Sequence, residues 1–324
     1  MRHTILLLMS LVLGTMMSYA EGLTATLTKS DKSIEVFYGE GAFREAYNKA
    51  TDGNIITLSG GSFNSPDSLT KSITVIGNGA FSDKATTQSP ITQVGTTRLS
   101  ADNIVFEGIN ISYLYIGKTQ NVSVRRCYIG NGLYSSGAHS NTTIEDCAVG
   151  IFYALENSTN CYIKNCTIIR FLKLNSKDKL AVIEDTHVRY WFYNNSSDYK
   201  QPYAIYRNCA LGFYNVGTTT RYSIPISSPS EFYDVRFLIL PNSSSDSLSS
   251  YYAFSYSTGV KYSGLDRTIV TKLTWPIYTT WVSKYGCKDF KFYPSIPRVT
   301  SSEIDSQTDA DGKLKVKINV AIGE

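Results

Sequence analysis

A nine-residue pattern returns along the middle of this chain, and few folds can accommodate it. Segments beginning at Asn103, Asn121, Asn141, Asn160, Leu180 and Tyr203 read NIVFEGINI, NVSVRRCYI, NTTIEDCAV, NCYIKNCTI, LAVIEDTHV and YAIYRNCAL, at steps of 18, 20, 19, 20 and 23 residues. PSEFYDVRF from Pro229 extends the series, and NIITLSGGS (Asn54 to Ser62) and KSITVIGNG (Lys71 to Gly79) are looser copies upstream. Alternating apolar residues, such as Val122 and Val124 or Thr142 and Ile144, mark a short first strand in each unit. The sixth position is Gly108, Arg126, Asp146, Asn165, Asp185, Asn208 or Asp234. Gly, Asn and Asp tolerate a left-handed backbone, so the chain is expected to bend there. A second strand follows, with inward pairs Ile109/Ile111, Cys127/Ile129, Cys147/Val149, Cys166/Ile168, Thr186/Val188 and Cys209/Leu211. Strand, bend and strand, repeated at this spacing, predict an all-β parallel β-helix in which each copy is one coil.

The N-x-x-I-x-N-C-x-I form of these coils resembles the right-handed parallel β-helix of the pectate lyase-like superfamily, over roughly residues 50–240. The resemblance implies a right-handed solenoid but no single activity, because that superfamily holds lyases, hydrolases, adhesins and proteins of no known activity. A solenoid needs its raw ends covered. Glu40 to Ala50 places Ala42, Phe43, Ala46, Tyr47 and Ala50 on one helical face, with Gly53 to stop it, and reads as an N-terminal cap helix. Lys313 to Val320 alternates with period two after an Asp311-Gly312 turn and reads as a C-terminal capping strand with outward lysines. The Asp309-x-Asp311-Gly312 run resembles a calcium loop, but Ile318 stands where an EF-hand needs an acid.

The first residues read as an address. Met1, Arg2 and His3 precede a nearly all-apolar Ile5 to Met17, and Ser18-Tyr19-Ala20 supplies a signal-peptidase site. The expected layout is a signal peptide over 1–20 and a single β-helix domain over 21–324. Within it lie an N-terminal cap over 21–53, regular coils over 54–240, irregular coils and loops over 241–299, and a C-terminal cap over 300–324. The mature protein is therefore expected to be exported: periplasmic, cell-surface or extracellular. A net charge of +4 with no Lys/Arg-rich block argues against nucleic acid as a partner. No later run approaches the length of a membrane-spanning helix.

Six cysteines in an exported chain suggest disulfides. Here Cys127, Cys147, Cys166 and Cys209 share one place in successive coils, with Thr186 filling the remaining slot. In-register residues on neighbouring strands stand ~4.8 Å apart, wider than the ~3.8 Å between the Cβ atoms of a disulfide. The column is expected to be free, buried thiols. A pairing of Cys161 with Cys287 stays open. The fifth position reads Glu107, Arg125, Glu145, Lys164, Glu184 and Arg207, an unbroken alternation of sign. Stacked on neighbouring strands this forms an ion-pair ladder; read as a carboxylate cleft, it fails because Lys164 would hold Glu145 and Glu184 both ionised.

Catalytic signals are sparse. Polygalacturonase-like hydrolases on this fold carry Asn-Thr-Asp, Asp-Asp, Gly-His-Gly and Arg-Ile-Lys motifs, and none occurs here. The nearest approach to a lyase site is Glu184, Asp185, His187 and Arg189 beside Lys164, with His187 read as an outward surface residue. No catalytic residue and no metal ligand is assigned. No cofactor is expected, calcium entering only under a lyase alternative.

A third strand carries the binding signal: Leu114-Tyr115, Leu133-Tyr134, Phe152-Tyr153, Phe171-Leu172, Trp191-Phe192 and Phe213-Tyr214. With the first of each pair inward, Tyr115, Tyr134, Tyr153, Leu172, Phe192 and Tyr214 form an outward stripe, and its aromatic members Tyr115, Tyr134, Tyr153, Phe192 and Tyr214 are the candidate carbohydrate contacts. The competing reading buries the stripe beneath a loop or residues 218–299, because large exposed apolar patches are rare in monomers. The function expected first is non-catalytic binding of an extracellular polysaccharide or cell-surface glycan. A polysaccharide lyase or glycoside hydrolase with an unrecognised site is the alternative, and a purely structural surface protein the third.

Overall fold

The computed structural model describes residues 22–80, 91–135, 137–153, 158–173, 180–194, 203–215, 222–226, 229–240, 252–256, 258–269, 297–304 and 316–322. The expected signal peptide, Cys287 and the Asp309–Gly312 run lie outside them.

The chain folds as a parallel β-solenoid. One face is a 12-stranded sheet and the other a 10-stranded sheet, and successive coils contribute one strand to each. In the first sheet every repeat copy aligns without a slip. Val105–Glu107, Ser123–Arg125, Thr143–Glu145, Tyr162–Lys164, Ala181–Glu184 and Ala204–Arg207 pair in parallel order. Their central residues Phe106, Val124, Ile144, Ile163, Ile183 and Tyr206 stack into one buried column. The six inward pairs of the second strand are buried as expected.

The bend at the sixth position is left-handed in every copy. Arg126, Asp146, Asn165, Asp185, Asn208 and Asp234 have φ of 53, 53, 48, 49, 49 and 53°, and Gly108 has 68°. Five of these seven bends are closed by the side chain that follows them. Cys127, Cys147, Cys166 and Cys209 donate Sγ–H to the carbonyls of Arg125, Glu145, Lys164 and Arg207 at 3.1–3.2 Å. Thr186 makes the same bond to Glu184 at 2.8 Å, which explains how a threonine replaces a cysteine in this column. All five described cysteines are free and buried, and burial pushes the Cys127 and Cys147 thiols well up.

A second left-handed column was not expected. Asn103, Asn121, Asn141 and Asn160, the first residue of four copies, have φ of 56, 57, 52 and 53°. The side-chain amides of Asn121, Asn141 and Asn160 each donate from Nδ2 to the side-chain Oδ1 of the asparagine one coil earlier, at 2.8–3.0 Å. The ladder ends where Leu180 and Tyr203 replace asparagine.

Three expectations need correction. The second and third strands of each coil are one continuous strand, such as Asn110–Ile116 or Tyr128–Ser135, because the backbone ladder carries on through a register irregularity instead of turning. Regular coiling also extends past residue 240. Lys261–Ser263 and Asp266–Ile269 pair in parallel with Glu231–Tyr233 and Arg236–Leu240, around a left-handed Gly264. Strand Thr92–Leu99, which follows an insertion at 81–90, escaped the pattern because the insertion breaks the repeat spacing.

The first sheet ends in an antiparallel hairpin of β1 (Thr24–Thr28) and β2 (Ile34–Tyr38), with β1 pairing antiparallel to β3 (Ile55–Leu58). Helix α1 (Ala42–Lys49) packs on all three strands through Ala42, Phe43, Ala46 and Tyr47, and left-handed Gly53 follows it. Near the other terminus, Val316–Ile322 pairs antiparallel with Pro297–Ile304 in a separate two-stranded sheet.

Candidate functional site

The outward face of the second sheet holds the tyrosines. Leu114, Leu133, Phe152, Trp191 and Phe213 are buried, so the inward half of five of the six expected pairs is placed as read, and the side chain of Phe171 lies outside the described residues. Strands Asn110–Ile116, Tyr128–Ser135 and Ala148–Tyr153 align Tyr115, Tyr134 and Tyr153 on one backbone register. All three are half-buried. Their rings stack nearly parallel: Tyr115 on Tyr134 with centroids 4.9 Å apart at 16°, and Tyr134 on Tyr153 at 4.3 Å and 11°. Arg98 covers the outer face of the first ring, its guanidinium 4.4 Å from the Tyr115 centroid. Tyr113 leans on Tyr134 from the side at 6.1 Å. Burial first, then the neighbouring Tyr153 hydroxyl, pushes the Tyr134 phenol up to about 12.

Small residues make room for these rings. A Cβ on Gly132 would stand 2.8 Å from Tyr134 Cε2. A Cβ on Gly150 would stand 2.2 Å from the Gly130 carbonyl oxygen, where the strands pack through the bulge.

The remaining candidates do not share the column's register. Tyr153 pairs with Lys173, so Leu172 drops out of the row. Further along, Phe192 pairs with Phe213, and Tyr214 pairs with Tyr193. Bulges between Phe152 and Tyr153 and between Val188 and Phe192 produce both shifts. The side chains of Phe192 and Tyr214 lie outside the described residues.

Charge is distributed unevenly on this face. From Thr92–Leu99 to Arg236–Leu240 the second sheet's strands contain Arg98, Arg170, Lys173, Arg189 and Arg236 and no Asp or Glu. Arg98 is exposed and makes no ion pair among the described residues.

The lyase-like cluster is split by a bend. Glu184 ends a first-sheet strand, accepting from the Tyr162 hydroxyl at 2.7 Å and standing 4.0 Å from Lys164 Nζ. Asp185 is the left-handed bend residue, 4% exposed, and accepts from Asn208 Nδ2 at 2.6 Å. His187 begins a second-sheet strand and is not the surface residue expected, being 2% exposed. The in-register outward positions Ala148, Thr167 and Ala210 are buried with it. Burial, with Arg189 nearby, pulls the imidazole down to about 3, so it is neutral.

The ladder at the fifth position has the expected register but resolves into separate pairs. Arg125 and Arg126 converge on the two oxygens of Glu107, at 2.9 and 3.0 Å, and Glu107 is 2% exposed. Arg125 is thereby drawn away from Glu145, which makes no ion pair among the described residues. Sequence reasoning missed Arg126, a bend residue whose side chain completes the Glu107 site.

A buried polar cluster also escaped notice. His139 Nδ1 lies 2.8 Å from Thr142 Oγ1 and 3.7 Å from Cys161 Sγ, and His139 Nε2 lies 2.7 Å from Ser158 Oγ. The Ser158–His139 distance suits proton transfer, but both residues are sealed in the core and no carboxylate is among the partners shown for the imidazole. Burial pulls His139 down to about 4 and lifts Cys161 to about 11.

Among the described residues no group of His, Cys, Asp and Glu could hold a metal ion, and no helix is long and apolar enough to cross a membrane. Comparisons with protein-family models, with curated proteins and with solved structures find no match for this chain.

Proposed function

We propose that this chain is an exported, non-catalytic protein that binds an extracellular polysaccharide along the outward face of its second sheet. The observation that carries the reading is the half-exposed column Tyr115, Tyr134 and Tyr153, closed at one end by Arg98. Successive rings 4.3 and 4.9 Å apart leave no gap for a sugar between them, so ring edges and phenol hydroxyls are what a glycan would meet. A row of such hydroxyls on a rigid sheet offers repeated donor and acceptor positions to a repeating ligand. The export part of the reading rests on the leader over residues 1–20. The asparagine and cysteine columns favour kinship with right-handed pectate lyase-like β-helices.

A glycan array containing neutral and uronic-acid polymers tests this directly. The intact protein should bind at least one polymer, and Tyr134→Ala with Tyr153→Ala should weaken that binding by about tenfold or more. Failure of the intact protein to bind any glycan, or unchanged binding by the double variant, removes the proposal.

A further inference from the structure

The first sheet ends in an edge strand that carries exposed apolar residues. Strand β2 is the last strand at that end, and among the described residues nothing pairs with its outer side. Hydrogen bonds from Lys29 N to the Ser33 carbonyl (2.9 Å) and from Gly39 N to the Leu23 carbonyl (2.8 Å) fix the parity of the hairpin. With the β1–β2 register, they make Glu35 and Phe37 the residues that bond to β1. The N–H and C=O groups of Ile34, Val36 and Tyr38 therefore point away from the sheet, towards the open edge.

The same three residues are among the exposed large apolar side chains of the described residues. Ile34, Val36 and Tyr38 are 63%, 44% and 71% exposed, with Ile55 of β3 nearby at 38%. Helix α1 covers only the other face of β2, where Phe37 is buried and Glu35 is tied to Lys29 and Lys49. Edge strands of monomers are ordinarily blunted by an outward lysine, a proline or a bulge. Strand β2 has none of these: its sequence is IEVFY and its pairing with β1 is unbroken.

We propose that two copies join antiparallel through β2, with Val36 facing Val36 of the second copy across a two-fold axis. That register is self-complementary. Ile34 faces Tyr38, an aromatic–β-branched pair, and Glu35 faces Phe37, so no like charges meet. Just beyond the strand, exposed Lys32 in one flanking turn lies at the same end as exposed Glu40 of the second copy, bringing opposite charges near one another twice. Three facing pairs can exchange backbone hydrogen bonds, and the first sheet runs on from one copy into the next. The contact is short, so the association is expected in the micromolar range.

Sedimentation of the intact protein across that concentration range tests the pairing, alongside hydrogen exchange. The mass should double with concentration, and the Ile34, Val36 and Tyr38 amides should gain protection as it does. Val36→Pro removes an amide that β1 does not use, so it should leave a folded monomer. Lys32→Glu should weaken the dimer by about tenfold, and adding Glu40→Lys should restore it. A protein that stays monomeric, a dimer that survives Val36→Pro, protection that spares these amides, or a charge swap that fails to restore pairing would each overturn the proposal.

Discussion

Glu107, Arg125, Glu145, Lys164, Glu184 and Arg207 line the outward side of the first sheet, one coil after another, with sign alternating. The matching strands of the second sheet present Arg98, Tyr115, Tyr134 and Tyr153 in a row, with no acid on any of its strands from Thr92–Leu99 to Arg236–Leu240. Both rows obey the same strand spacing. The first ties up part of its charge internally, by short pairs such as Arg125 with Glu107 and the longer contact of Lys164 with Glu184, while Glu145 makes no ion pair among the described residues. The second stacks rings that cannot neutralise a cation and leaves Arg98 exposed to solvent. A solenoid thus separates a wall of mixed charge, partly paired within itself, from a wall of stacked rings and cations without acids.

Glycine substitution strains the second wall most. Gly150→Ala drives a Cβ to 2.2 Å from a backbone oxygen and should cost about 3 kcal/mol of unfolding free energy. Gly95→Ala in the same sheet meets nothing within 4 Å and should be near neutral. Equal urea midpoints for the two would show that the bulge is soft.

On the first wall the deepest group is Glu107. Glu107→Gln keeps its shape but removes the charge that holds two arginines, and a loss of about 1–3 kcal/mol in chemical denaturation is expected. A negligible loss would mean that the pairs on this wall are incidental.

Between the walls, one source of acid sensitivity is His139. Its folded pKa of about 4 lies below the ordinary 6.5, so the unfolded chain takes up the proton first. Its stabilising contribution is fully present above about pH 6.5 and declines as pH falls towards 4. Melting temperature should drop over that window, and because buried His187 is shifted the same way, His139→Gln should reduce the drop without abolishing it. A slope unchanged by the variant would assign it to other groups.

The smallest effect belongs to Lys164. Lys164→Glu sets three acids in line and should cost up to about 1 kcal/mol, with Lys164→Leu milder. Identical melting temperatures would remove the charge pattern from any account of stability.

What could be read from sequence followed the strength of local periodicity. Seven left-handed bends were readable because Gly, Asn and Asp recur at one offset, and Arg126 could be placed there only by its neighbours in the repeat. The asparagine ladder was visible as the first letter of four copies, but its side-chain bonds needed the coils to be superposed. Tyr115, Tyr134 and Tyr153 came out together, whereas the bulges that displace Leu172 and Phe192 leave no mark in composition. His187 was misjudged because alternation gives direction and says nothing of what covers an outward residue.

Titration of the bound polysaccharide against Tyr134→Phe plus Tyr153→Phe, beside Lys164→Leu, probes the division between the walls most directly. Phenylalanine keeps the stack and removes the hydroxyls, so the account predicts binding weakened by about tenfold in the double variant and unchanged in Lys164→Leu. Full affinity in the phenylalanine variant, or loss of binding in Lys164→Leu, would contradict it.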